Sequence, residues 1–203
     1  MEQTSVQKLA RVLRVMVVVI FVCNILALFA VPMLVVGEWS SAGAGAVEWG
    51  LDMMGSLLNP KLDPETRSEV FVWFGYMFML SWPAVFEEAY TAVLTLFLWT
   101  CGVCTAVILW QGKRVLDTVL AGEPFSVKNA ANLRRAAVCC FVISGAALAR
   151  LIWGLVYYTS IRPVLTYNAL FVPVFLVGGL LFLVMSALFR QAAELKTEND
   201  LTI

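Results

Sequence analysis

The side chains that could do chemistry in this sequence are few, and they sit in apolar surroundings. Arg150 lies inside the run AAVCCFVISGAALARLIWGLVYY. A charge at the centre of a bilayer costs roughly 2.5–3.5 kcal/mol on insertion scales, so such a residue pairs, reaches for the interface or lines a cavity. Arg150 precedes Tyr158 by eight residues, ~12 Å of helix. Glu87 and Glu88 open another apolar run on the same side, and Asn24 lies in the first one. All three are candidate partners for Arg150. Two roles fit this set: a polar contact that locks a helix bundle, or a path for a small solute.

The cysteines are the second candidate. Cys101 and Cys104 have CxxC spacing, Cys139 and Cys140 are adjacent, and Cys23 stands apart. A quinone-coupled dithiol would need to lie at an oxidising outer surface, whereas Cys104, Cys139 and Cys140 fall in the inner half of their runs. A tetrahedral thiolate site needs four converging ligands, and the chain has no histidine. Cysteine here reads as a small apolar packing residue. No nucleophile–base pair, phosphate loop or DNA-binding motif appears. The expectation is therefore no enzyme, no metal, no cofactor and no direct nucleic-acid contact, with a membrane thiol enzyme as a distant rival.

The elements that must hold these residues follow from composition. The chain has 203 residues, is 61% hydrophobic and only 14% charged, with a mean hydropathy of +0.86. Soluble domains carry about 25% charged residues, so the lipid bilayer is the expected solvent. Four apolar runs are long enough to cross a core of ~30 Å: 15–36, 89–110, 136–158 and 169–189. The first exceeds the apolar core of a secretion signal, about 7–15 residues, and is expected to be retained. Gly178 and Gly179, with Ser144 and Gly145, permit close helix approach, and Pro32 and Pro173 are expected kinks.

Orientation comes from lysine and arginine near the ends of the runs. Lys8, Arg11, Arg14, Lys113, Arg114, Lys128, Arg134, Arg135, Arg190 and Lys196 share one side, against Lys61, Arg67 and Arg162 on the other. Both termini are expected in the cytoplasm. The outer segment, 37–88, is acidic. It should hold an amphipathic helix over 47–58, turns at NPKLDPETR, and a short interfacial or re-entrant helix over 69–82 that ends or kinks near Pro83.

The stretch LAGEPFSVKNAANLRRAAV interrupts the second half with polarity. Gly122 is a plausible helix stop, Pro124 enforces a turn, and Ser126 is a good N-cap for a helix that continues into the third span. Residues 111–135 thus read as a cytoplasmic helical elbow anchored by Phe125. This stretch, with the preceding VLDTVLA and the tail AAELKTENDLTI, resembles a bacterial membrane family known as domain of unknown function twenty-nine seventy-five. The likeness covers the four spans, the elbow and the tail; the outer segment is longer than the family's. The resemblance implies a four-helix integral membrane protein without assigned activity, whose genes often neighbour small helix-turn-helix regulators.

The expected fold is an all-α membrane protein: a single domain of four transmembrane helices, the outer segment, the elbow and a tail at 190–203, placed in the inner or plasma membrane. The expected function is docking or sensing toward a cytoplasmic protein. Its surface would be Phe125, Asn129, Arg134 and Arg135 of the elbow with Glu198, Asp200 and Leu201 of the tail. The basic elbow and acidic tail could equally pair with each other, or the arginines could anchor to anionic lipid. The alternative is a small-solute transporter or export accessory that uses Arg150 and Asn24. A homo-oligomer is compatible with either.

Overall fold

The computed structural model describes residues 5–39, 55, 64–122, 125–159 and 161–201. Of the expected helix over 47–58 only Gly55 is among them, and it is helical; residues 59–63 of the NPKLDPETR stretch and Pro124 lie outside, while residues 64–67, expected in turns, are helical. Among the described residues there are five helices and no strand: α1 (Ser5–Trp39), α2 (Pro64–Val85), α3 (Ala89–Leu120), α4 (Val127–Tyr158) and α5 (Tyr167–Leu201), with a 3-10 turn at Arg162–Leu165 before α5. Four of them, α1, α3, α4 and α5, are long and apolar enough to cross a membrane. The β-branched run VMVVVIFV in α1 would favour a strand in water. In hydrocarbon each backbone group must be satisfied within its own segment, which selects helix.

The long helices exceed the bilayer. At 1.5 Å per residue, 35 residues of α1 or α5 reach ~52 Å and 32 residues of α3 or α4 reach ~48 Å. A hydrocarbon core takes ~30 Å of this. The remainder of α3, α4 and α5 includes the two arms of the elbow and the helical tail.

The chain divides into two compact units: Met1–Leu26 with Thr100–Ile203, and Ala27–Trp99. In the second unit Pro32 is fully buried inside α1. It has no N–H to offer the carbonyl four residues back, which belongs to Leu28. The indole of Trp99 donates to that carbonyl oxygen at 3.2 Å. Trp99 also packs against Trp82 of α2, ring centroids 5.3 Å apart. Helix α2 extends the expected 69–82 segment at both ends and carries Pro83 in its last turn. The Thr91 hydroxyl, 3% exposed, lies 2.7 Å from Val85 O and 2.8 Å from Glu88 O, so its one proton ties the end of α2 to the start of α3. Glu87 and Glu88 are exposed in the intervening turn.

In the first unit α4 and α5 form an antiparallel hairpin. The buried face of α4 comprises mostly small residues, among them Ala130, Ala137 and Ser144 at steps of seven. Small side chains let two backbones approach closely enough for side-chain-to-carbonyl bonds. Ser144 Oγ donates to Val172 O at 2.9 Å, and Ser186 Oγ donates to Ala130 O at 2.7 Å. The two bonds run in opposite directions between the helices. At Gly179 an added Cβ would stand 2.9 Å from the Phe141 ring, whereas at Gly178 and Gly145 it would meet nothing within 4 Å. Of the expected close-approach glycines, Gly179 is the one that α4 crowds.

Candidate functional site

The elbow is built from the end of α3 and the start of α4. Gly122 has φ +84°, a left-handed conformation that glycine adopts without strain. It lies two residues beyond Leu120, the last residue of α3, and its N–H donates to Val119 O at 3.2 Å. After Phe125, Ser126 caps α4: its backbone is extended and its Oγ accepts from Asn129 N at 3.3 Å. Such a cap satisfies one of the orphan donors of a helix start and is worth about 1 kcal/mol.

Asn129 closes the elbow from inside. It is 0% exposed, and its Nδ2 donates to Thr118 Oγ1 at 2.6 Å. Thr118 Oγ1 in turn donates to Val115 O at 2.7 Å. The expected docking position of Asn129 is thus an interior one. It lies one residue before Ala130, the first of the small residues that face α5, and its amide reaches Thr118 of α3. Phe125 packs on Phe189 of α5, ring centroids 5.6 Å apart, and remains 51% exposed. Arg134 and Arg135 are exposed, on the far side of α4 from Ala136 and Ala137. In the tail, α5 continues through Asp200 and Leu201, and Glu198 is exposed. A hydrogen bond joins Arg190 Nε to Glu194 Oε1 at 2.9 Å, one turn apart on α5.

A second cluster borders the elbow on α1 and α3. Arg14 Nε approaches Asp117 Oδ1 to 2.8 Å as an ion pair, and Lys113 Nζ donates to Asp117 Oδ2 at 3.1 Å. Lys113 and Arg114 both lie over the ring of Trp110, at 5.3 and 5.8 Å. Trp110 also meets Phe21 of α1 at 5.7 Å. From Arg14 to Phe21, and from Asp117 back to Trp110, is seven residues each way, so the two antiparallel helices keep one register.

Arg150 is half-buried, and its Nη1 donates to Asn168 Oδ1 at 2.9 Å. Asn168 is the second residue of α5. A residue in the body of α4 therefore stands beside the very start of its neighbour. Asn168 was not among the expected partners, since its position at a helix start across a turn carries no local signal. Asn24 is half-buried in α1. The thiols of Cys104 on α3 and Cys139 on α4 lie close enough to interact. All five cysteines are free thiols. Among the described residues, no three of His, Cys, Asp and Glu gather in a group that could hold a metal ion.

What the elbow offers chemically is a surface. Asn129 and Thr118 bond to each other inside, and the elbow presents an aromatic ring and guanidinium groups outside. Thr118, Ser186 and Phe189, which hold it, escaped the sequence reading because their partners lie 11, 56 and 64 residues away.

No curated protein and no solved structure matches the chain. One family model does, described as a protein of unknown function (DUF2975), over residues 64–203. The match takes in α2 to α5 with the elbow and the tail, and leaves α1 outside, where the resemblance had been expected to include the first span. Four of its helices are long and apolar enough to cross a membrane, and because the match covers well over half of the length, the chain belongs to the DUF2975 family of unknown function.

Proposed function

We propose that this protein is a membrane-embedded docking or sensing partner for a soluble cytoplasmic protein, and that it catalyses nothing itself. In this reading the elbow and both termini face the cytoplasm of a bacterial cell and the protein resides in the inner membrane. The ten cations on that side against three on the other support the orientation. Helix α2, with exposed Phe71 and Tyr76, would lie in the opposite interface, where amphipathic rings collect.

The observation that carries the reading is the division of labour at the elbow. Asn129 is wholly interior, bonded to Thr118, while the Phe125 ring packs on Phe189 and still leaves about half of itself exposed, so the bend fixes the ring that it displays. A surface prepared in advance loses less ordering entropy when a partner binds. Phe125, Arg134 and Arg135 would form one part of it, and Glu198, Asp200 and Leu201 the other. Neighbouring regulator genes in the resembling family make a transcriptional regulator the first partner to test.

The test is photo-crosslinking in intact cells from positions 125 and 198, with Val142 in the span as control. Docking predicts one and the same soluble protein captured from both sites and absent from the control. Capture of lipid alone at both sites would overturn the reading.

A further inference from the structure

The hairpin contacts fix which residues of α4 and α5 stand at the same depth. Ala130 meets Ser186 and Ser144 meets Val172, with fourteen residues between the partners on each helix. The antiparallel register is therefore constant over ~21 Å. Counted from Ala130, Arg135 lies level with Leu181 and Arg134 with Phe182. The first cation beyond the apolar run of α5 is Arg190, nine residues further on, or ~13 Å along the axis. The polar boundary of α4 thus lies ~13 Å deeper than that of α5.

Helix α3 sides with α4. The Asn129–Thr118 and Cys139–Cys104 contacts enclose Arg134 and Arg135 on one helix and Trp110, Lys113 and Arg114 on the other. Over the same depth α5 exposes Leu181, Val184, Met185 and Leu188. Tilt does not remove the step. Packed helices lie 8–10 Å apart, so levelling ~13 Å would take a tilt of roughly 55°, against a usual ~20°. A flat interface at Arg190 would sink Arg114, Arg134 and Arg135 into hydrocarbon. A flat interface at Arg135 would strip lipid from the exposed leucines of α5.

We infer that the α3–α4 rim binds the phosphate of an anionic phospholipid, drawn inward to Arg114, Arg134 and Arg135, and that the bilayer is thinner there than around α5. Charge complementarity supports this occupant. Lys113 and Arg14 share Asp117, whereas among the described residues no ion pair is seen for Arg114, Arg134 or Arg135. A guanidinium matches a phosphodiester with paired N–H donors. Trp110 beneath Arg114 adds a ring of the kind that settles at headgroup level. The inference stands apart from the docking reading and narrows it: with both arginines of α4 on lipid, Phe125 and the tail remain for a protein.

The experiment is native mass spectrometry of the full chain released from vesicles of phosphatidylcholine with one fifth phosphatidylglycerol. Wild type should retain phosphatidylglycerol well above its share. Arg134→Gln with Arg135→Gln should lower that retention roughly thirtyfold, at ~1 kcal/mol per cation near the surface. Arg134→Lys with Arg135→Lys should keep most of it, and Arg190→Gln should change it less than twofold. Retention of the two lipids in proportion to their supply by wild type overturns the inference without any variant, as would be found if these arginines served a protein alone. A loss from Arg190→Gln as large as from the double variant overturns the assigned depth.

Discussion

The two ends of the α4–α5 hairpin solve the same problem, a polar group among apolar helices, in opposite ways. At the elbow end the bonds that close the bend join neutral groups: Ser126 and Asn129 cap and close it, and Ser186 ties it to α5. Asn129 is fully buried there. At the far end the polar group is charged, half-buried, and met by a neutral amide, Arg150 on Asn168. The comparison teaches why burial differs. A neutral amide can be withdrawn completely if it is hydrogen-bonded, whereas a guanidinium keeps a large solvation demand. The charge is therefore placed beside a helix start and not in the middle of the packed face.

The comparison breaks most directly at Asn129. Asn129→Ala removes a buried bond and leaves a cavity, and should cost about 2–3 kcal/mol in thermal or denaturant unfolding of the detergent-solubilised protein. A loss below half of that would mean that the bend is held by its turn residues alone. Next in size is the packed centre of the hairpin. Gly179→Ala should destabilise by about 1–3 kcal/mol because the Phe141 ring must move, while Gly178→Ala on the open side should be neutral within about 0.5 kcal/mol. Equal effects at the two glycines would deny the close approach.

The far end sharpens the contrast by sign. Asn168→Ala leaves the guanidinium one acceptor short and should cost about 1–2 kcal/mol, more than Arg150→Met, which removes the charge together with its demand. The reverse order in the same unfolding assay would show that Arg150 stabilises through its charge. The smallest effects belong to the serines. Ser144→Ala and Ser186→Ala should each cost about 0.6 kcal/mol, the usual worth of an interhelical bond in lipid. They should also add nearly independently, since fourteen residues of hairpin separate them.

Much of the architecture was legible in the sequence because lipid leaves a helix few choices. The four spans at 15–36, 89–110, 136–158 and 169–189 each fall within one of the long helices. The α2 segment was expected too short, since its apolar count stops near 70 while the helix starts at Pro64. Its polar first turns, carrying Glu65, Arg67 and Glu69, are helical without being apolar. The interior role of Asn129 was hidden because its partner, Thr118, lies across a turn. Trp99 was hidden as the acceptor's partner at Leu28 because nothing local links a proline in α1 to an indole in α3.

The sequence by itself determined that the chain lives in lipid, that it crosses as helices, and where charge gathers. These depend on transfer free energies and on backbone hydrogen bonding, which add up residue by residue along a segment. Only the tertiary structure decided that Arg150 meets Asn168, that Asn129 is interior, and that Arg134 and Arg135 of α4 stand ~13 Å deeper than Arg190. Those facts are set by the register between two helices. Register follows from small residues and serine-to-carbonyl bonds that pair positions far apart in the chain, and a periodic apolar pattern is compatible with many such registers.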